Sequence, residues 1–307
     1  MCEYYNNSDG ENSEYYDSCY GCGVQADTYT AVFNASNLEL IGYYIQEGSY
    51  NDVRLMSDGY LYIISSDDKY LDYEETSDDD IDNYIPQYCV GNESRYVDPE
   101  NIMIPSCKIT ELYDYVSYTN ISGLDLNSET PNQPVDMKSI AGYTNNVYCS
   151  PQNLYVVSGY DESEITRFSV SGGAVAPQAS GKVNGYVNDQ FSMSEYNGFF
   201  RIAVTENVWE ESTVFAEEDS SIATNALVTQ KNSLYVLDMD MKVVGSISDF
   251  GINEQIKSVN FSGDTAYAVT FRQTDPLYAI DLSNPYSPVM LDELKISEIG
   301  RASCRER

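Results

Sequence analysis

The sequence predicts an all-β protein assembled from repeated four-stranded sheets, and three observations carry that expectation. Apolar residues alternate with a period of two in short runs such as "GYLYIIS", "NLYVVS", "FFRIAVT" and "AYAVTF". Such alternation buries one side of a strand and wets the other, and Gly, Asn, Asp and Ser separate the runs as turn formers do. Two strand types also recur. One is aromatic-aliphatic and ends in Ser or Thr, at Ser65, Ser158, Thr205 and Thr270; the other closes on Asn, Asp or Ser, at Asn34, Asp125, Ser169, Asp238 and Asp281. Finally, successive marks fall 44 and 43 residues apart in the second series and 47 in the first wherever no extra segment intervenes. Units of about 40–50 residues, each with several short strands, are the signature of propeller blades.

The repeat sorts the strands, named a to d from the axis outward. After residues 1–27 the chain supplies c and d of a first unit, "TYTAVFNASN" and "LELIGYYIQ". A second unit reads "YNDVRLMSDG", "YLYIIS", a long insertion, "TNISGLDLNS" and "PVDMKSIAG". The third is "NNVYCSPQ", "NLYVVSGY", "EITRFSVSGG" and "KVNGY"; the fourth is "NDQFSMSEYNG", "FFRIAVTE", "NSLYVLDMD" and "KVVGSIS". The last is "IKSVNFSG", "AYAVTFRQ", "DPLYAIDLSN" and "PVMLDELKI". The expected fold is an all-β propeller fragment of about four and a half four-stranded blades, an open arc truncated at both ends, within residues 1–297. Its acidic insertions fall at 1–27, 65–112 and 207–230, between strands b and c, and are expected to decorate one rim. The polar residue closing each c strand should cap a turn with its side chain rather than hold a metal.

Composition excludes several functions. A net charge of −33 leaves no basic footprint for nucleic acid and disfavours anionic membranes. Histidine is absent, which removes Ser-His-Asp and Cys-His nucleophiles and His-ligated zinc or copper. No apolar run is long enough for a transmembrane helix. The start, "MCEYYNNSDG", lacks the basic and apolar regions of a signal peptide, so an export signal is expected upstream.

The stretches "NDQFSMSEYNGFFRIAVT" and "SVNFSGDTAYAVTFRQTDPLYAIDLSNPYSPVMLDELKI" resemble bacterial and archaeal secreted proteins with a C-terminal β-propeller domain, distantly related to WD-type repeats. Phe271, Arg272, Gln273, Asp275 and Pro276 carry most of the resemblance, followed by Gln190, Phe191, Ser192 and Met193. "SYNDVRLMSDGYLYII" and "YIPQYCVGNESRYVDPENIMIPS" are similar too, so it covers residues 28–297. It implies a propeller fold and export to the cell surface or beyond. It implies no reaction. In that family "ELKI" is followed by a Pro-Gly turn and further blades, whereas here the match stops at Ile296 or Ser297. The closing "EIGRASCRER" reads as a translated sequencing adapter, so residues 298–307 are expected to be non-native.

Cys89 and Cys107 bracket one loop and suggest a disulfide that ties the second insertion down. Cys19 and Cys22 have the spacing of a redox or half-zinc motif without a second pair, and a disulfide between one of them and Cys2 is the expected use. Cys149 should be a buried free thiol. The run "SSDDKYLDYEETSDDDID" offers Asp67, Asp68, Asp72, Asp78, Asp79, Asp80 and Asp82 as calcium candidates, though the spacing fits no EF-hand and a solvated loop is the plainer reading. No catalytic residue and no cofactor other than calcium is indicated. The insertions also carry many tyrosines and Trp209, the single tryptophan, which suits protein or glycan recognition by loops on a rigid scaffold. The expected function is a secreted or cell-surface recognition scaffold without enzymatic activity. The alternative is a carboxylate- or calcium-dependent enzyme acting on extracellular polysaccharide.

Overall fold

A computed structural model describes residues 28–70, 84–91, 93–104, 115–214, 223–271 and 275–296. The chain divides into two compact units, residues 1–142 with 172–175, and residues 143–171 with 176–307.

In the first unit, β1 (Thr28–Phe33) pairs antiparallel with β2 (Leu40–Gln46), the expected c and d strands. β3 (Ser49–Leu55) and β4 (Tyr60–Tyr70) open the next sheet. The insertion then contributes β5 (Gln87–Val90), β6 (Glu93–Tyr96) and β7 (Ile102–Met103) before the sheet resumes with β8 (Tyr115–Asp125) and β9 (Pro134–Ala141). The first sheet has the order β1-β2-β5-β6 and the second β3-β4-β8-β9-β7. The half blade keeps its expected c and d strands, and insertion strands β5 and β6 extend that sheet from β2. One expectation is corrected here: the described part of 65–112 is not a rim decoration. It runs along the outer edge of the first sheet and then adds β7 parallel to β9 on the outer edge of the second. The physical reason is pairing demand: β2 and β9 would otherwise end as edges with unpaired backbone groups.

The core of this unit packs Tyr44, Ile63 and Leu124 together, all essentially inaccessible. The Tyr44 hydroxyl shares a 2.6 Å hydrogen bond with Ser122, so a large aromatic is buried with its polar end satisfied. Burial pushes the Tyr44 hydroxyl well above its ordinary pKa.

The second unit has three sheets in the predicted order. They are β10 (Asn146–Cys149), β11 (Asn153–Ser158), β12 (Glu162–Ser171) and β13 (Ala174–Asn184); β14 (Met193–Tyr196), β15 (Phe199–Val214), β16 (Ala223–Leu237) and β17 (Val243–Phe250); and β18 (Gln255–Ser262), β19 (Thr265–Phe271), β20 (Asp275–Asp281) and β21 (Val289–Ile296). β13 starts eight residues before the expected "KVNGY", as Ala174 against Lys182 shows. The 207–230 insertion is mostly strand rather than loop: β15 and β16 pair without a break from Phe200–Leu237 out to Val214–Ala223.

β15 shows why "FFRIAV" is nearly continuous in apolar residues. Phe200, Ile202 and Val204 join a cluster with Tyr155, Val157 and Ile165, while Ala203 joins another with Val259, Ala266 and Ile280. A strand buried on both faces has no wet side to alternate with. Its one polar member, Arg201, is 4% exposed and lies between the rings of Tyr196 and Phe261, 4.9 and 4.8 Å from their centroids. It donates from its terminal nitrogens to the Gly263 carbonyl at 2.6 Å and to Ser194 Oγ at 2.7 Å, while Nε is left to the ring faces, and burial drives the cation below its ordinary pKa. Close sheet packing needs small residues: a Cβ on Gly181 would sit 2.0 Å from the Met241 carbonyl oxygen, and one on Gly245 2.2 Å from that of Pro285.

The turn caps expected at the c strands are present. Asn34, Asp125, Asp238 and Asp281 each accept the amide two residues on, at 2.8–2.9 Å. Hydrogen bonds from Ser283 hold the Asp281 carboxyl below its usual range. Ser169 differs: it bonds along the sheet to Gln178 and Ala176.

Candidate functional site

The insertion builds a cleft in the first unit. Gln46, Tyr88 and Arg95 are successive register partners across β2, β5 and β6, so they share one face of the first sheet. Beyond β6 the chain turns through a single 3₁₀ turn at Pro99–Asn101. Asp98 caps it by accepting the Glu100 amide at 3.0 Å, and Pro99 occupies the position where a missing N–H costs nothing. The chain then reaches β9 through β7. Tyr88, Arg95 and residues 96–99 form one wall, Pro134, Val135, Asp136 and Met137 the other, and the space between them is about 400 Å³.

Hydrogen bonds fix both walls. Lys138 Nζ donates to Asn101 Oδ1 and to Asp136 Oδ1, each at 2.7 Å. The second Asp136 oxygen accepts the Val175 amide at 2.9 Å. Arg95, by contrast, touches Glu93 only at 3.4 Å, and both side chains are exposed. The cleft therefore combines one lightly held guanidinium, two carboxylates, two tyrosines and an apolar patch on preformed strands. Such a mixture suits binding, since ligand sites are concave with a few placed polar groups.

A second polar centre lies at the root of the insertion. Glu47 and Lys69 are both 6% exposed and form an ion pair; Lys69 also lies 3.5 Å from Asp67. Glu47 accepts the Gln87 amide at 2.8 Å, tying β5 to the link between β2 and β3. Burial lifts its carboxyl above the ordinary range despite Lys69. Around this pair, Ser65 Oγ donates to the Glu47 carbonyl, Gln46 Nε2 donates to Ser65, and Asn120 Nδ2 donates to the same carbonyl. Ser65 and Asn120 are register partners, as are Thr205 and Asn232 in the second unit. There Thr205 bonds Asn232 at 2.8 Å, and Asn232 donates to the carbonyls of Phe250, Gly251 and Glu254. At Ser65 and Thr205 the strand-ending residue read as a repeat mark is thus half of a buried Ser/Thr–Asn pair, whereas Ser158 faces Glu164 and Thr270 donates to the Glu254 carboxylate.

Of the calcium candidates, Asp67 and Asp68 are described. They are neighbours on β4 and so point to opposite faces; Asp68 accepts a 2.5 Å bond from Ser117 Oγ. Asp72, Asp78, Asp79, Asp80 and Asp82 lie outside the described residues. Among the described residues no three acidic, cysteine or histidine side chains are grouped so that they could hold a metal. Cys89 is buried and disulfide-bonded, while Cys107, Cys2, Cys19 and Cys22 lie outside the described residues. Cys149 stands outside any disulfide, as expected, and donates to the Ser150 carbonyl at 3.3 Å, but it is half-buried rather than buried, at the edge of its sheet in β10. Gln190, Phe191 and Ser192 form a 3₁₀ turn capped by Asp189, followed by buried Met193; Phe191 is 66% exposed. Phe271 ends β19, and Asp275 and Pro276 open β20, whereas Arg272, Gln273 and residues 297–307 lie outside the described residues. No helix among the described residues is long and apolar enough to cross a membrane. The resemblance reached "YIPQYCVGNESRYVDPENIMIPS" without showing that this stretch lines a cleft. The signal available was its Pro and Gly spacing around two short aromatic segments.

A family model described as a beta propeller domain matches residues 3–297. An uncharacterised protein of Archaeoglobus fulgidus is 38% identical over 136 residues, 44% of this chain and 18% of that protein. An uncharacterised protein of Methanocaldococcus jannaschii is 42% identical over 117 residues, 38% of this chain and 16% of that one. The matched stretches thus span less than a fifth of these relatives' length. Among solved structures, a dihydro-heme d1 dehydrogenase NirN covers 88% of this chain and 62% of its own, with 11% identity and a TM-score of 0.25. At that score the likeness carries no argument about activity.

Proposed function

Because the chain belongs to the beta propeller domain family, we propose that it is a secreted or cell-surface recognition scaffold and not an enzyme. The observation that supports this reading is the cleft between β5–β6 and β9, which an insertion constructs on strands that the sheets already hold rigid. Binding sites on stiff frameworks are commonly made by such added segments. The two carboxylates that line it also favour binding over catalysis. Asp136 is engaged by Lys138 and the Val175 amide, and Asp98 by its own turn. A general acid or base needs a proton to exchange with substrate, and these bonds hold both groups as hydrogen-bond acceptors. Calcium remains part of the proposal for the acidic run, as does a Cys89–Cys107 disulfide. Added millimolar Ca²⁺ should raise the melting temperature if that run holds the ion, and EDTA should reverse it.

The test is a binding screen of immobilised protein against envelope extracts and a polysaccharide panel, run beside a turnover assay on the same panel. Retention without turnover supports the scaffold. Turnover abolished by a single carboxylate-to-amide change would establish the alternative, an enzyme acting on extracellular polysaccharide.

A further inference from the structure

The groups lining the cleft are those that recognise hydroxyls. Arg95 supplies planar donors, and its 3.4 Å bond to Glu93 is long enough to yield to a ligand. Asn101 gives its oxygen to Lys138 and keeps its amide nitrogen to donate. Asp98 and Asp136 retain lone pairs beyond their structural bonds, since an ionised carboxylate has about four acceptor sites. A ring hydroxyl donates once and accepts twice, so interleaved donors and acceptors fit it better than either kind alone.

Charge narrows the class. Among the lining residues Arg95 faces two carboxylates, Asp98 and Asp136, the second of them paired with Lys138, so an anion finds no net attraction there. The whole chain, at −33, repels it further. The walls add C–H surface, from Pro99 beside the Tyr88 ring and from Pro134 and Val135 on the other wall. An amphipathic ring with one apolar face needs that pairing of polar rim and flat carbon surface. The volume, about 400 Å³, lies at the lower end for small-ligand sites and holds a ring or two rather than a protein surface.

We infer that the cleft binds a neutral saccharide, free of uronate and sulfate, through Tyr88, Arg95 and Asn101. This rests on the recognition-scaffold reading and adds the ligand class. The experiment is amide-resolved NMR titration of the full chain with neutral trisaccharides of glucose, galactose, mannose and xylose, and with trigalacturonate. At least one neutral trisaccharide should shift the amides of Tyr88, Arg95 and Asn101, with millimolar or tighter affinity. Arg95→Ala should weaken it at least tenfold without moving the melting temperature by more than a few degrees, and Tyr88→Ala should weaken it as much while also lowering stability, because Tyr88 packs against the Tyr44 cluster. Trigalacturonate should shift none of them. No response to any neutral sugar, a response only to trigalacturonate, or binding unchanged in Arg95→Ala would each overturn the inference. A protein retained from envelope extract whose capture survives both substitutions would do so too if no sugar competed, while leaving the scaffold reading intact.

Discussion

The two insertions that the structure describes leave their sheets at corresponding points, between strands b and c, yet they end in different structures. The segment after β4 abandons its parent ribbon and pairs with β2 and β9. The segment after β15 stays with its parent, and β15 and β16 remain in register out to Val214 and Ala223. Punctuation in the sequence accounts for the difference. Between Tyr70 and Tyr115 stand Pro86, Gly91, Pro99 and Pro105, of residue types that break or redirect strands. From Phe199 to Leu237 there is no proline and no glycine. The roots are alike in one respect, the Ser65–Asn120 and Thr205–Asn232 register pairs. They differ in charge: Glu47 and Lys69 are buried at the first, whereas Lys231 and Asp249 stand 3.3 Å apart and open to solvent at the second.

Five experiments probe that contrast, beginning with the largest effect. Replacing 71–114 by Asn-Gly should lower the melting temperature by about 15 °C, roughly 5 kcal/mol for a unit of this size, because β2 and β9 lose their outer partners. The same replacement of 209–228 should move it by only a few degrees. Equal losses in calorimetry would mean that the two insertions are not different in kind.

Next, Lys69→Met should cost about 3 kcal/mol in urea unfolding, since it strands a buried carboxylate, whereas Lys231→Met should cost less than about 1 kcal/mol. The Glu47 carboxyl has a folded pKa above its unfolded one. Its contribution to stability is therefore full below the unfolded value and is lost as pH rises through the folded value. Glu47→Gln should remove that loss, so the variant should gain on the parent as pH climbs from about 4 towards neutrality. A gap that stays constant with pH would contradict a buried, lifted carboxyl.

Asn120→Ala and Asn232→Ala should each cost about 2 kcal/mol, because each leaves buried partners without their donor. Unequal losses would break the likeness of the roots. The smallest effect belongs to the tight turn joining β5 and β6. Gly91 there has φ +60, and no atom lies within 4 Å of the point a Cβ would occupy, so Gly91→Ala should cost only about 1 kcal/mol. Gly91→Asn should cost less still, since Asn tolerates that backbone region better than Ala.

Much of this fold could be read from residues. Strands buried on one face announce themselves by alternation, and the c-strand Asn and Asp residues predict their turn caps at Asn34, Asp125, Asp238 and Asp281. β15 was legible for the opposite reason, a run of apolar residues buried on both faces. The β5–β6 pair was not, because "QYCV" and "ESRY" are four residues each and mix polar with apolar. What makes them strands is β2, more than forty positions earlier in the chain, as the Gln46–Tyr88 partnership shows. The cleft was hidden for the same reason. Tyr88, Arg95 and Asp136 come from strands that only the folded sheets bring together, whereas Asp67 and Asp68, the described members of the acidic run that drew attention in the sequence, line neither wall.

The pairing of β7 with β9 also has a consequence in time. β5 needs β2, already made when it emerges during synthesis, but β7 must wait for β9, which follows β8. The insertion therefore cannot seat fully until the sheet it left has been completed behind it. It should be the last part of the first unit to settle and the first to lift during native-state fluctuations. Amides of β5 to β7 should exchange with deuterium sooner than those of β4 and β8, so the cleft would open and close on a clock of its own while the sheets stay folded.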